Sequence, residues 1–254
     1  MSRLVVIAAV IGSCLLIWKS GALDGAINSV TGGPVTTATP LDPGVEISKA
    51  STVMQALKSL HVSLTGNLVL NRIAGVKVTG QGDLNYPHKE TLSMQFQVPT
   101  SNGDAILSMN ERIEGGHEYV QYPDRSQAWT DVTGNTKNQI LPEMDPIANL
   151  NFAQAFRASD DQGDITMDNI DVHHFSLTVD PAKYVAQLKT DPNNGITPAD
   201  EAILTGSTIQ VDVWVSASDH YIHQMKIDWV NSQFTWDVTY HYSNFVTGGG
   251  TTSA

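Results

Sequence analysis

Hydrophobic and polar residues alternate with period two along most of the chain between Val62 and Tyr242. The last such run sets Phe234, Trp236, Val238, Tyr240 and Tyr242 on one side, with Thr235, Asp237, Thr239 and His241 on the other. Successive side chains of a strand point to opposite faces, so each run predicts a strand with one buried and one solvated face. Repetition of the pattern predicts a large antiparallel sheet with one apolar surface to cover. Few helical segments exist to cover it.

The elements follow in order. Val53, Met54, Leu57 and Leu60 recur at helical spacing and predict an opening helix over 47–60, with Ser48 as its cap. A strand comes next, with Val62, Leu64, Leu68 and Leu70 on one side, and then another with Val76, Val78, Gly80, Gly82, Leu84 and Tyr86 together. Two glycines on an apolar face predict a bend or the close approach of another group. Leu92, Met94, Phe96 and Val98 form the next face, and Leu107, Met109 and Ile113 follow a turn at 101–104. Gly115-Gly116 and Pro123-Asp124 mark turns around strands at 118–122 and 127–132. The alternation breaks at 142–159, where Ile147, Leu150, Phe152, Ala155 and Phe156 predict a helix or helix pair crossing the sheet. It resumes with Phe175, Leu177 and Val179. Asp180-Pro181 and Thr197-Pro198 carry the cap-then-proline order of helix starts and predict two short helices. Strands over 209–215, 221–230 and 234–242 complete a fold of the mainly β (α+β) class.

The chain has 254 residues, 41% of them hydrophobic, which is enough for a packed core in a single large β domain. A net charge of −12 argues against a nucleic-acid partner, which needs clustered Lys and Arg. The N-terminus has a different character. Arg3 precedes an uncharged, mostly apolar run from Leu4 to Trp18, closed by Lys19. As a helix this run would reach ~22 Å, short of the ~30 Å hydrocarbon core, a length that suits an export signal better than a spanning helix. Cys14 is the single cysteine, so no internal disulfide forms. Its context, Ile11-Gly12-Ser13-Cys14, resembles a relaxed bacterial lipobox, although Leu15-Leu16-Ile17-Trp18 carries the apolar run past it. Lipidation at Cys14, an uncleaved anchor, and cleavage near Ser20-Gly21-Ala22 all fit, and all three place the domain outside the cytoplasm. The division expected is a signal or anchor segment over 1–19, a flexible linker over 20–45 rich in Gly, Ser, Thr and Pro, a folded domain over 46–246, and a disordered tail over 247–254.

Candidate chemistry adds little. The eight histidines include His220 and His223, three apart, and the adjacent His173 and His174; on strands both spacings divide the rings between opposite faces. They read as surface or strand-end residues, and no metal site is expected. Asp160, Asp161, Asp164, Asp168 and Asp171 lack the glycine and glutamate of a calcium loop, with Ile165 and Asp171 at those places, so a solvated loop is expected. No nucleophile elbow or carboxylate pair stands out. No catalytic residue and no cofactor is expected, and the chain reads as a non-enzyme.

The order of motifs is informative. An amphipathic helix leads into Val62-Ser63-Leu64-Thr65-Gly66 and then Val78-Thr79-Gly80-Gln81-Gly82-Asp83-Leu84. Tyr119-Val120-Gln121-Tyr122, Trp129 and Val211-Asp212-Val213-Trp214-Val215 come later. Over 47–245 this resembles the bacterial LppX/LprAFG lipoprotein family and, more broadly, the LolA/LolB-like lipoprotein carrier superfamily. The resemblance implies a strongly curved antiparallel sheet, a half-barrel with a few helices covering its open concave side, and an apolar cavity that takes up acyl chains. It implies an exported carrier held at the bacterial cytoplasmic membrane by the N-terminal segment, or a secreted form, with a lipid or acylated ligand as partner. An envelope sensory or regulatory module that binds a protein through the same fold is the alternative. The residues expected to line the cavity are Val53, Met54, Leu57, Met94, Phe96, Leu107, Met109, Phe175, Leu177, Val213, Met225, Trp229 and Trp236. The same residues would equally make a dry, filled core.

Overall fold

The computed structural model describes residues 41–70, 74–86, 89–133, 155–190 and 197–247. Eleven antiparallel strands form one sheet in the order β6-β5-β4-β3-β2-β1-β11-β10-β9-β8-β7. These strands are β1 (Leu57–Leu70), β2 (Ala74–Asn85), β3 (Lys89–Thr100), β4 (Gly103–Glu114), β5 (His117–Gln121) and β6 (Thr130–Asp131), followed by β7 (Phe156–Met167), β8 (Ile170–Val179), β9 (Thr208–Ser216), β10 (Ile222–Val230) and β11 (Phe234–Thr247). The sheet is strongly curved but not closed, a half-barrel with β6 and β7 at its edges. Strands paired in the sheet are consecutive in sequence except β1 and β11, whose pairing joins a meander of six strands to one of five, while β6 and β7, consecutive in sequence, lie at opposite edges.

Curvature has a visible local cause. Gly66, Gly80 and Gly82 sit on the concave side of β1 and β2, where a side chain would collide with the next strand. A Cβ on Gly66 would lie 2.6 Å from the Asp237 carbonyl oxygen and one on Gly80 would lie 3.0 Å from Met94 Cγ, while one on Gly82 would overlap the Thr91 carbonyl oxygen. Only glycine lets the backbones close in this far.

Among the described residues three helices accompany the sheet: α1 (Pro43–Met54), α2 (Pro181–Thr190) and α3 (Pro198–Thr205). Each begins with proline after a side-chain cap. Asp42 Oδ1 accepts from Gly44 N at 2.8 Å, Asp180 Oδ1 from Ala182 N at 3.0 Å, and Thr197 forms a reciprocal capping box with Asp200. Buried Ile47, Ala50 and Met54 of α1, Tyr184 and Val185 of α2 and Leu204 of α3 join the core of the sheet.

Three expectations need correction. The opening helix ends at Met54 and is capped by Asp42 rather than Ser48. Leu57 and Leu60 belong to β1, where register shifts between Leu57, Ser59 and His61 bring residues three apart onto one face. A bulge thereby imitates helical spacing. The acidic stretch is no loop: Asp160, Asp161 and Asp164 lie in β7, and Asp168 and Asn169, at φ 52° and 64°, make the tight turn into β8. Of the helix expected over 142–159, residues 142–154 lie outside the described residues, and 156–159 belong to β7.

Candidate functional site

The concave face is assembled by register. One transverse row runs Met109, Met94, Gly80, Leu64, Tyr240, Met225, Val213, Phe175, each residue opposite the next across eight neighbouring strands. A second row, two residues along, runs Leu107, Phe96, Val78, Gly66, Val238, Ile227, Val211, Leu177. A third holds Val76, Leu68, Trp236, Trp229 and Ile209. Directly opposite residues in antiparallel strands share a face, so these rows form a single apolar surface. Period-two alternation in each strand, combined with in-register pairing, is sufficient to produce it.

All of the expected lining residues except Val53 fall within this surface or the core continuous with it. Phe175, Leu177, Val213, Met225 and Trp229 are fully buried, whereas Met94 and Leu107 are partly exposed at the β3–β4 side. Met54 reaches the core from α1 and Leu57 from the start of β1; Val53, one residue before Met54, is half-buried outside the cluster. The two facing tryptophans differ in their polar atoms. Trp229 Nε1 donates to Ser207 Oγ at 2.6 Å, while Trp236 Nε1 is buried with no hydrogen-bond partner among the described residues.

Toward β4 and β5 the concave face turns acidic. Glu111 lies opposite Leu92 and Val120 and is 1% exposed, and Glu118 lies opposite Ile113. Burial pushes the nearby Tyr122 phenol up; Arg125 opposes the shift and Glu111 adds to it. Nothing in the sequence marked these carboxylates, because a Glu at an inward position breaks the alternation that identifies inward positions.

The histidine pair divides between opposite faces, as strand spacing implies, but His173 is not a surface residue. His173 is buried, with Nδ1 against Asp164 and Nε2 against Asp161. A bulge between Asp161 and Gly163, where Gly163 has φ 86°, lets two aspartates three apart reach one ring. Asp161 also accepts from Leu41 N at 2.7 Å, tying the entry of α1 to the edge hairpin. Burial raises this carboxyl, but the bonds from Gly163 N, Leu41 N and His173 outweigh it and hold its pKa below the ordinary range. His174 points to the other face, where it stacks on Trp214 at 4.4 Å and bonds Asp212 at 3.0 Å. Among the described residues no group of three His, Cys, Asp or Glu side chains is arranged to hold a metal ion. No helix among them is long and apolar enough to cross a membrane.

Comparison with family models and with curated proteins found no match. Solved structures do match. LprF from Mycobacterium bovis aligns with a TM-score of 0.50 at 17% identity, covering 85% of this chain and 99% of that one. The fold is that of LprF. Lipoprotein LppX from Mycobacterium tuberculosis aligns at 14% identity and TM-score 0.47, over 83% of this chain and 97% of that chain. A LolA superfamily protein from Nitrosomonas europaea aligns at 13% identity and TM-score 0.32, over 81% and 93%. The match to LprF bears out the resemblance read from the motifs at the level of the fold. In this LprF-like sheet the Val211–Val215 motif supplies Val211 and Val213 next to the β8 end of the first two rows, and the Gly80–Gly82 motif supplies the bend.

Proposed function

We propose that this chain is an exported, membrane-tethered lipid- or lipoprotein-binding carrier of the bacterial cell envelope, which holds acyl chains against the apolar concave face. The observation that carries the reading is the continuity of the apolar rows across eight adjacent strands of an open, curved sheet. An acyl chain gains ~0.8 kcal/mol for each buried methylene, so a long chain binds without any directed polar contact. Met94, Met109 and Met225 lie in one row, and their unbranched, polarisable side chains adapt to ligands of differing outline. The LprF-like fold and the apolar N-terminal run with Cys14 agree with a carrier at the membrane.

Expression in a bacterial envelope followed by native mass spectrometry and lipid extraction tests the reading. A co-purifying acyl-chain ligand, displaced stoichiometrically by added lipid, is expected. A protein that is empty in the gas phase, and whose interior proves filled by its own side chains, would overturn it.

A further inference from the structure

The convex face carries a site of opposite chemistry. On that side the middle of β2, β3 and β4 presents hydroxyls and amides with one carboxylate and one guanidinium, from Gln81, Asp83, Thr91, Ser93, Asn110 and Arg112. Together with Trp129, these residues border a cleft of about 380 Å³. A second hollow of about 270 Å³ adjoins it along β2 and β3 and shares Gln81 and Ser93. The larger hollow falls within the range of small-ligand clefts, roughly 300–1,000 Å³, and the two together make an elongated groove.

Its polar groups are held in place before any ligand arrives. Ser93 Oγ donates to Asn110 Oδ1 at 2.8 Å, Asn110 Nδ2 donates to Gln121 Oε1 at 2.9 Å, and Gln121 Nε2 donates to the Gln127 carbonyl at 2.6 Å. This relay runs from the floor of the groove into the loop that carries Trp129. At the far wall His61 Nδ1 and Asp83 Oδ1 are 2.8 Å apart, and Asp83 retains a second acceptor oxygen. Trp129 is 39% exposed, yet it is pinned from beside the sheet. The Arg112 guanidinium lies 4.9 Å from its ring and 5.0 Å from the Tyr119 ring. An exposed indole, held on one face by Arg112 and bordering a groove of fixed hydroxyls and amides, is a combination that a neutral polyol ring matches. The C–H bonds of a pyranose face carry partial positive charge and rest on the negative face of the indole, while its hydroxyls exchange hydrogen bonds with the floor. An anionic ligand fits poorly. The one guanidinium is already shared between two rings and lies 4.0 Å from Glu114, Asp83 adds negative charge, and the chain as a whole carries −12.

We infer that this convex groove is a carbohydrate-binding site for a neutral glycan, with Trp129 as the stacking platform and Ser93, Asn110 and Asp83 as hydrogen-bonding partners. Its polar side chains alternate with those of the apolar concave face, although Gly82, Leu92 and Glu111 also border the groove, and it does not depend on the carrier reading. The glycan is either a free polysaccharide or the sugar headgroup of a glycolipid.

The test uses the full-length chain in nanodiscs and calorimetric titration with maltohexaose, cellohexaose, mannohexaose and chitohexaose. A second arm uses nanodiscs containing a glycosyl diacylglycerol. Binding by the wild type is expected, weakened at least about tenfold by Trp129→Ala and kept within about threefold by Trp129→Phe, which preserves a stacking face. A Ser93→Ala/Asn110→Ala variant, whose far-ultraviolet circular dichroism should match wild type, is expected to weaken binding similarly. Trp129-dependent binding of a soluble hexasaccharide identifies a polysaccharide. Trp129-dependent binding of the glycolipid alone identifies a headgroup. No binding of any probe at millimolar concentration, or binding unchanged in both Trp129→Ala and the Ser93/Asn110 variant, overturns the inference.

Discussion

Gly82 on β2 lies so close to Thr91 on β3 that a Cβ at position 82 would overlap the Thr91 carbonyl oxygen. The obstacle is backbone, which cannot rotate away, and Leu92 crowds the same space. Gly82→Ala is expected to destabilise the fold by about 3 kcal/mol, the upper part of the usual overpacking range, as measured by urea denaturation. Gly75→Ala serves as the control, since a Cβ there meets only the Asn67 side-chain amide at 3.3 Å, and it should move the midpoint little. Equal losses in the two variants would mean that the bend at Gly82 does not depend on close approach.

Trp229 and Trp236 face each other across β10 and β11, and only the former has a hydrogen bond to Ser207. Replacing either with Phe removes a similar volume. Trp229→Phe also breaks that bond, whereas Trp236→Phe removes a buried donor that has no partner among the described residues. Trp229→Phe should therefore be the more destabilising of the two by about 1 kcal/mol, read as the difference between their unfolding free energies.

Stability should decline in acid through Asp161. Its folded pKa lies below the ordinary carboxylate value, despite burial, because of Gly163 N, Leu41 N and His173. The ionised form thus favours folding above the unfolded value of about 3.9, and the contribution disappears as pH falls through the lower folded value. Asp161→Asn should lower the melting temperature at pH 7 and flatten its fall below about pH 4, with the two curves converging in acid. Asp237 has the opposite sign: burial, with Asp228 adding and Lys226 opposing, raises its carboxyl, so its ionised form disfavours folding. Asp237→Asn should leave the melting temperature at pH 7 unchanged or slightly higher. Parallel wild-type and Asp161→Asn curves would exclude the role given to Asp161.

Cys14→Ala separates the anchors open to the N-terminal run. If Cys14 is acylated, the wild type carries added lipid mass and fractionates with membranes, while the variant has the mass of its polypeptide and is released. Membrane retention of Cys14→Ala at an unmodified mass would assign the tether to the apolar run itself instead.

Much of the concave surface was legible because each strand repeats a single simple instruction. Phe175, Leu177, Val213, Met225 and Trp236 could be placed on the inward face from parity alone, and register then aligned them. Parity misled wherever a bulge inserted a residue. Leu57 and Leu60 looked helical for that reason, and His173 looked like a surface residue although a bulge in β7 brings Asp161 and Asp164 around it. Buried carboxylates such as Glu111 were invisible because hydrophobicity is the only signal of inwardness that a lone sequence carries. The convex groove was missed as well. Its residues lie far apart in sequence and are individually ordinary polar positions, and only the pairing of β1 through β4 brings His61, Asp83, Ser93 and Asn110 to one place.

The pairing of β1 with β11 has a consequence for how the molecule comes into being. Within each meander, β1 to β6 and β7 to β11, a strand pairs with the one made next to it, at the small entropic cost of a local loop. β1 must wait for β11, the last of the described strands, to be synthesised. Until then its outer edge, including Leu64 and Leu68, has no partner strand. The nascent chain therefore passes through a half-sheet stage whose greasy border invites self-association. A truncation that removes β11 would hold the protein at that stage.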